Sequence, residues 1–368
     1  MAQTAAVPVP PLAQTEWQRF HPSLDRVKRV LALLGHPEQH FQAILVGGTN
    51  GKGTITANVA QAWGAGTGSF TSPHLLDVRE RIRIDGRWVE DPAWIAAYQT
   101  LSQVLKNDEA SYFEWLFLLA VVMFDQIGIK KAVFEVGLGG RWDATNALEP
   151  YLSVITSVEL DHCEYLGPTR EKIALEKIEI ARPDRIFVAP AYLAEWSEVT
   201  TRLKQIGCHW VPVQLPEPTE YEHNLLTLQA VCRTLGWPEP HTLQPILGRR
   251  THLAPHIYLD GAHNPMGWHS LANWVRNQGL APIRILAGLS QPRDPQIFLQ
   301  TMRPVAQSIS IWDCPFEKAL PANAWPEGTN YVTESEWRTW LEQPLLVCGS
   351  LYVLGAFLQK LNYQPSGW

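Results

Sequence analysis

One short glycine-rich segment constrains the fold more than any other part of the sequence. Residues 48–54 read GTNGKGT, after the apolar run 44–46 and before a helical pattern. In a strand–loop–helix order, backbone N–H groups and the helix N-terminus lie at the loop, where they can bind phosphate. Lys52 can neutralise phosphate charge, and the Thr54 hydroxyl can reach Mg²⁺. The segment therefore predicts a nucleotide-phosphate loop rather than an ordinary glycine-rich turn.

Short apolar runs alternate with helical patterns along the chain, which is typical of a parallel sheet covered by helices. The predicted strands lie at 43–47, 132–136, 152–156, 185–189, 209–213, 257–260, 283–287, 308–312 and 344–347. The predicted helices lie at 54–63, 112–124, 169–180, 192–205, 223–235, 266–275, 295–305 and 351–361. Proline and turn residues concentrate near 238–252. We therefore predict an α/β protein with an N-terminal P-loop nucleotide-binding domain, 1–240, built on a mainly parallel sheet, and a smaller open α/β, Rossmann-like domain, 241–368, that closes the active site.

Composition excludes several classes of protein. The formal net charge of -6 argues against a broad nucleic-acid-binding surface. The cysteines are scattered singly, without the paired spacing of a zinc cluster or a disulfide framework. No apolar run approaches the ~20 residues of a membrane span, and the N-terminal segment has neither a signal-peptide nor a transit-peptide pattern. We therefore expect a cytoplasmic protein that binds neither nucleic acid nor a membrane.

Further segments follow the glycine-rich loop in a recognisable order. They read FTSPHL at 70–75, ERI at 80–82, EVGLGGRWDATN at 135–146, LDH at 160–162, EK at 176–177, LDGAHNP at 259–265 and GSLY at 349–352. Together with the GKG form of the loop, these segments resemble the folylpolyglutamate synthase/dihydrofolate synthase family of the Mur ligase superfamily. The resemblance runs from about residue 20 to residue 357.

The resemblance implies which residues bind ATP and Mg²⁺. The nucleotide-binding set is Gly48, Thr49, Asn50, Gly51, Lys52, Gly53, Thr54, Arg249, Asp260 and His263. The metal-binding set, for two Mg²⁺ ions, is Thr54, Ser72, Glu135, His162 and Lys177, with Lys177 carrying CO₂ as a carbamate. Lys52, His162 and Lys177 form the catalytic set. From the residues alone, Glu135 could instead cap a helix, His162 could be a core histidine and Lys177 an exposed helical lysine.

The resemblance also implies a pterin-binding role for the N-terminal domain. The matching segments are Ser23, Leu24, Asp25 and Arg26, then Tyr112, Phe113 and Glu114, then Trp142, Asp143 and Ala144. Aromatic rings can stack on a flat pterin and carboxylates can accept its N–H groups, although Tyr112 and Phe113 would also suit a helix core. The implied reaction joins L-glutamate to dihydropteroate, to a reduced folate or to both through an acyl phosphate. We expect the enzyme to be a monomer.

Some positions depart from the family pattern and keep two alternatives open. Thr227 stands where the family has an asparagine that contacts the nucleotide, and Leu247 and Thr251 replace a proline and a glutamate around Arg249 and Arg250. These departures would suit a nucleotide-binding paralogue without turnover. The other alternative is a Mur-superfamily amide ligase that acts on a different acid, with the same ligase chemistry and no pterin pocket.

Overall fold

A computed structural model describes residues 7–9, 22–106, 110–215, 220–314 and 318–364. The strands of its first sheet are β1 Gln42–Gly47, β2 Thr67–Phe70, β3 Ile82–Ile84, β4 Arg87–Trp88, β5 Lys131–Glu135, β6 Leu152–Ile155, β7 Ile186–Pro190 and β8 His209–Val213. Their spatial order is β4-β3-β2-β5-β1-β6-β7-β8. The pairs β2–β3 and β3–β4 are antiparallel and the other neighbours are parallel. The mainly parallel sheet expected for the N-terminal half is confirmed.

Helices cover both faces of this sheet. They are α1 Asp25–Leu33, α2 Lys52–Trp63, α3 Asp91–Val104, α4 Tyr112–Ile127, α5 Cys163–Leu166, α6 Arg170–Lys177, α7 Ser197–Ile206 and α8 Glu220–Leu235. Alternate residues of β1 belong to different cores: Ile44 and Val46 pack with α2 and α8, whereas Ala43 and Leu45 pack with α4. Since successive side chains of a strand point to opposite faces, a strand buried on both faces reads as one continuous apolar run.

The helix α4 fixes the position of the predicted substrate residues Phe113 and Glu114. Its residues 114–124 are all buried, so it is apolar on every side. At its start the Ser111 side chain accepts from the Glu114 N–H and the Glu114 carboxylate accepts from the Ser111 N–H, a reciprocal cap. At its end Gly128 adopts the left-handed conformation that closes a helix. Phe113 and Glu114 are thereby held in the first turn of a rigid, buried element.

A second sheet lies in the C-terminal part of the chain. Its strands are β9 Thr251–Ala254, β10 Ile257–Asp260, β11 Ile283–Ala287, β12 Ala306–Trp312, β13 Asn330–Val332 and β14 Leu345–Cys348, and its helices are α9 Pro265–Asn277, α10 Pro295–Met302, α11 Glu334–Arg338 and α12 Leu351–Lys360. The strand order is β13-β12-β11-β14-β10-β9, and all neighbours except β9 and β10 are parallel. The predicted smaller open α/β unit is confirmed. The proposed boundary at 240/241 falls between α8 and β9.

The predicted elements are present, with three corrections to helices. The predicted helix 192–205 is interrupted, because Trp196 is extended between a 3-10 helix, Ala191–Glu195, and α7. The predicted helix 295–305 ends as α10 at Met302, since Pro304 lacks the N–H that a longer helix needs. The predicted helix 169–180 likewise ends in a 3-10 turn after Lys177. Within the described ranges, no helix is long and apolar enough to cross a membrane.

Candidate active site

The phosphate loop joins β1 to α2 and is held by the residues that directly follow β6. Gly48 has φ 141°, and a Cβ atom there would lie 1.9 Å from the Thr156 Oγ1 atom. The Thr49 N–H donates to the Ser157 carbonyl (2.8 Å), and the Thr156 hydroxyl donates to the Asn50 carbonyl (2.6 Å). The Lys52 ammonium folds back onto the Thr49 carbonyl (3.1 Å). The loop is therefore a preformed cradle with a cation above it, as phosphate binding requires.

Glu135 ends β5 beside this loop. Its side chain is buried, and its Oε2 atom accepts from the Ser72 N–H (2.9 Å). A Cβ atom at Gly53 would lie 3.3 Å from that oxygen, so the carboxylate is close to the first turn of α2. Burial raises the pKa of Glu135, although Lys52 opposes the shift. A buried carboxylate with one hydrogen-bond donor is a favourable place for a cation.

His162 follows β6 on the other side of the loop. It has φ 50°, in the left-handed region, and it starts the short helix α5. Burial lowers the pKa of His162 to about 4, so the ring is neutral at physiological pH and can act as a ligand. Burial works against ionisation of the adjacent Asp161, but hydrogen bonding to His263 and the charges of His162 and Arg293 hold its pKa well below the usual range.

Lys177 ends α6 and is buried rather than exposed. Only 4% of the residue is accessible, and its ammonium donates to the Gly48 carbonyl (2.7 Å). Burial, together with the charge of Lys52, lowers the pKa of Lys177 to about 7. The alternative of a solvent-exposed helical lysine is therefore wrong, because this side chain is buried and contacts the phosphate loop.

A single cavity of about 320 Å³ joins most of the predicted site. The predicted residues on its wall are Gly48, Thr49, Asn50, Gly51, Lys52, Gly53, Ser72, Phe113, Glu114, Glu135, Trp142, Asp143, Ala144, His162, Lys177, Arg249 and His263. Trp142 is 44% exposed, which leaves ring surface available to a ligand. In the described part of the chain no cluster of three His, Cys, Asp or Glu side chains is arranged to hold a metal ion. Ligand oxygens would have to complete the coordination of any ion there.

Several predicted residues lie off the cavity wall. Asp260 directs both carboxylate oxygens at backbone, accepting from the Arg250 N–H (2.9 Å) and the Ala262 N–H (2.7 Å). Thr54 is buried in the first turn of α2. On the pterin side, the residues off the wall are Ser23, Leu24, Asp25, Arg26 and Tyr112. Ligand contacts by these residues stay predictions.

Arg26 does not line the cavity, but it holds Glu114, which does. Its guanidinium contacts both carboxylate oxygens of Glu114 at 2.7 Å. Asp143 also has a local role, since its carboxylate accepts from the N–H groups of Gly137, Leu138 and Thr145 at 3.0 Å. An ion pair therefore connects the first and second predicted pterin segments. In the third segment, Asp143 fixes the surrounding backbone through its hydrogen bonds.

The residues that depart from the family pattern, Thr227 and Thr251, make hydrogen bonds within the protein. The Thr227 hydroxyl is buried and donates to the His223 carbonyl one turn earlier (2.8 Å), so it is not directed at the cavity. The Asn224 amide instead lies against the phosphate loop, where a Cβ atom at Gly51 would be 2.0 Å from its Oδ1 atom. The Thr251 hydroxyl accepts from the Gly248 N–H (2.9 Å) and holds the turn that carries Arg249.

The second domain supplies wall residues that sequence reasoning missed. They include Ser290, Arg293, Lys318 and Tyr352. Arg293 pairs with Asp161 of the first domain at 2.8 Å. Ser290 and Arg293 follow β11, Lys318 follows β12 and Tyr352 follows β14. The available signal was this position at the carboxyl edge of a parallel sheet, since ligands bind at that edge. Tyr165, from α5, was also missed and is 47% exposed on the wall.

Comparison with known proteins agrees with this geometry. Residues 46–215 match the Mur ligase middle domain family. The chain is 40% identical to the dihydrofolate synthase/folylpolyglutamate synthase of Bacillus subtilis over 93% of this chain and 95% of that protein. It is 28% identical to the Escherichia coli enzyme of the same name over 94% and 92% of the two chains.

Solved structures share the whole two-domain fold. A Yersinia pestis bifunctional folylpolyglutamate synthase/dihydrofolate synthase complexed with AMPPNP and Mn ion matches with TM-score 0.81 and 24% identity, over 94% of this chain and 95% of that one. E. coli FolC in complex with DHPP and ADP matches with TM-score 0.79 and 25% identity, over 94% of each chain. The predicted fold class is confirmed, and the likeness to the B. subtilis enzyme along nearly its full length shows that this chain belongs to the folylpolyglutamate synthase/dihydrofolate synthase family.

Proposed function

We propose that this protein is an ATP-dependent ligase that joins L-glutamate to the carboxylate of dihydropteroate, of a reduced folate, or of both. The observation that carries the proposal is the shared cavity, in which the phosphate loop and the aromatic surface of Phe113 and Trp142 lie on one wall. A phosphoryl donor and a planar acid would meet there. The relatives support this assignment, since one solved neighbour contains DHPP with ADP and another contains Mn, AMPPNP and L-glutamate.

The chemistry follows from the poor electrophilicity of a carboxylate. A carboxylate oxygen of the acid attacks the γ-phosphorus of ATP, the bond to the β-phosphate oxygen breaks, and ADP leaves behind an acyl phosphate. The glutamate amine then attacks the acyl carbon, loses a proton, and inorganic phosphate leaves. Lys52 and the loop N–H groups neutralise the charge on the transferring group. No covalent intermediate with a side chain of the protein is needed.

The cavity also suits divalent metal ions. Glu135 offers a buried carboxylate and His162 a neutral ring, and Ser72 lies beside Glu135. Mg²⁺ prefers oxygen ligands and bridges them to phosphates, where it neutralises the negative charge of the transferring group when bound. We assign Glu135, His162, Ser72 and Thr54 to this role, with two ions in the loaded enzyme.

Lys177 would supply oxygen ligands after modification. Its amine lies in a buried setting that disfavours the ammonium form, next to the Gly48 carbonyl. The neutral amine can add to CO₂, forming an N–C bond and releasing one proton, to give a carbamate. Carbamylation would replace the ammonium of Lys177 beside the phosphate loop with a negatively charged group. Its oxygens could then bind the second Mg²⁺ ion, as the family resemblance implies.

The second domain suits the acidic amino acid. Arg293 and Lys318 bring cationic groups to the same cavity from the segments after β11 and β12. Guanidinium and ammonium groups are natural partners for the carboxylates of glutamate. Because both domains of one chain build the whole wall, we propose that the enzyme works as a monomer.

Phosphate release is the experiment that tests this function. Purified protein with MgATP and L-glutamate should release phosphate when dihydropteroate or a reduced folate is added, and the acid should gain one glutamate by mass. Activity with folates but not with saturating dihydropteroate would refute the dihydrofolate synthase part of the proposed function. Nucleotide binding without release for any acid would instead support the paralogue without turnover, for which the position of Thr227 is the motivating observation.

A further inference from the structure

The phosphate loop touches the second domain through a pair of amides. The Asn264 Nδ2 atom donates to the Asn50 Oδ1 atom at 2.8 Å, and the Asn50 Nδ2 atom donates to the Asn264 Oδ1 atom at 3.2 Å. These residues are 214 positions apart in sequence, and both are buried, with 8% and 1% of their surface accessible. Two reciprocal hydrogen bonds thus cross the domain interface at the loop itself.

Each asparagine is also anchored inside its own domain. The Asn50 N–H donates to the Ser157 hydroxyl (3.1 Å), and its carbonyl accepts from Thr156. Asn264 is the N-cap of α9, where its Oδ1 atom accepts from the Gly267 N–H (2.9 Å). The amide pair therefore connects the end of β6 with the start of α9, so the loop and the helix cannot move independently while both bonds are made.

The acidic neighbour of the pair strengthens the connection. Asp161, at the same end of the first sheet, receives the Arg293 guanidinium at 2.8 Å and lies 3.5 Å from the Asn264 Nδ2 atom. The donors of the second domain thus converge on Asn50 and Asp161. An asparagine at position 264 suits both partners, because its Oδ1 atom accepts from Asn50 while its Nδ2 group can donate to Asn50 and to Asp161.

We infer that Asn264 is a positioning residue that couples the phosphate loop to the docking of the second domain. The contact with α9 then fixes the Asn50 side chain within a loop whose backbone is held by its own domain, and Asn264 acts through Asn50 rather than on the nucleotide. The inference rests on the proposed function only for its effect on turnover. Its effect on nucleotide affinity can be measured whether or not the protein is a ligase.

The test uses a variant that keeps the helix cap and removes the contact. Ser is as good an N-cap as Asn but is too short to reach Asn50. Asn264→Ser should therefore keep the parent melting temperature within a few degrees, yet bind MgAMPPNP about tenfold more weakly in calorimetry, as the loss of two neutral hydrogen bonds predicts. Asp294→Ser is the matched control, since Asp294 caps α10 and is also followed by proline. That variant should bind MgAMPPNP like the parent.

A double-mutant cycle separates coupling from direct nucleotide contact. If the amides act as a pair, Asn50→Ala combined with Asn264→Ser should bind MgAMPPNP no more weakly than the worse single variant. Additive losses, an unchanged affinity of Asn264→Ser, or an equal loss in Asp294→Ser would each overturn the inference. In an active parent, Asn264→Ser should raise KM for ATP while KM for the acid stays unchanged. A parent without phosphate release refutes the ligase assignment and leaves the affinity test valid.

Discussion

Gly355 lies where α12 of the second domain contacts the loop after β2. A Cβ atom at Gly355 would lie 2.4 Å from the Leu75 carbonyl oxygen. Leu75 is tightly held, because its N–H donates to Glu80 (2.8 Å) and its side chain packs with the α12 core. The same loop contains Ser72, whose N–H donates to Glu135. Glycine at 355 therefore allows a close domain approach next to the proposed metal site.

Two effects of Gly355→Ala oppose each other. Alanine in a helix interior is favoured over glycine by about 1 kcal/mol. The added methyl group, however, needs a separation of ~3.3 Å or more from the oxygen, so α12 must retreat by about 1 Å. Overpacking of this kind costs about 1–3 kcal/mol. We expect the clash to win, with a free energy of unfolding lower by about 1 kcal/mol and turnover lower by at least about tenfold, since 1 Å of misplacement near a site is costly.

Urea unfolding and phosphate release measure the two quantities. Ala356→Gly is the matched control on the next residue of α12, which should lose about 1 kcal/mol of helix stability and keep near-parent turnover. A Gly355→Ala protein that is more stable than the parent and fully active would show that local helix preference outweighs the contact. The reasoning about domain approach would then be refuted.

Other predictions follow from the same geometry. Lys52→Ala should abolish measurable ligation with an unchanged melting temperature, because it removes phosphate neutralisation worth a few kcal/mol in the transition state and no core packing; near-parent turnover would contradict the phosphate-loop assignment. Lys177→Arg and Lys177→Ala should both lose nearly all activity, since neither side chain can form the carbamate. Mass spectrometry of parent protein kept in bicarbonate should find added CO₂ on Lys177. An unmodified lysine together with an active Lys177→Arg variant would rule the carbamate out. Without added metal, the free energy of unfolding should fall as pH drops from about 6.5 to 4, because the unfolded chain protonates His162 at a higher pH than the folded chain does. Chemical denaturation across this pH range measures the slope, and His162→Gln should flatten it.

The sequence alone determined the fold class and the chemistry of the loop. The runs around β1, β5, β6, β10 and β11 are apolar enough to require burial on both faces, and GTNGKGT between a strand and a helix has few other uses. The short strands β2, β3, β4, β9 and β13 were missed, because each has at most two apolar residues, whereas the equally short β6 and β10 have three. The ordered motifs sufficed to identify the family.

Tertiary structure decided which of these residues share a site. Lys177 could not be distinguished from a surface lysine until α6 was placed behind the phosphate loop, where its ammonium meets Gly48. The partners of Arg293 and Asn264 could not be identified from local sequence, since Asp161 and Asn50 lie more than a hundred positions away in the chain. A sequence pattern reports the preferences of neighbouring residues, whereas hydrogen bonds, burial and charge between distant segments arise only when the two sheets pack together. The cavity between the domains is a product of that packing.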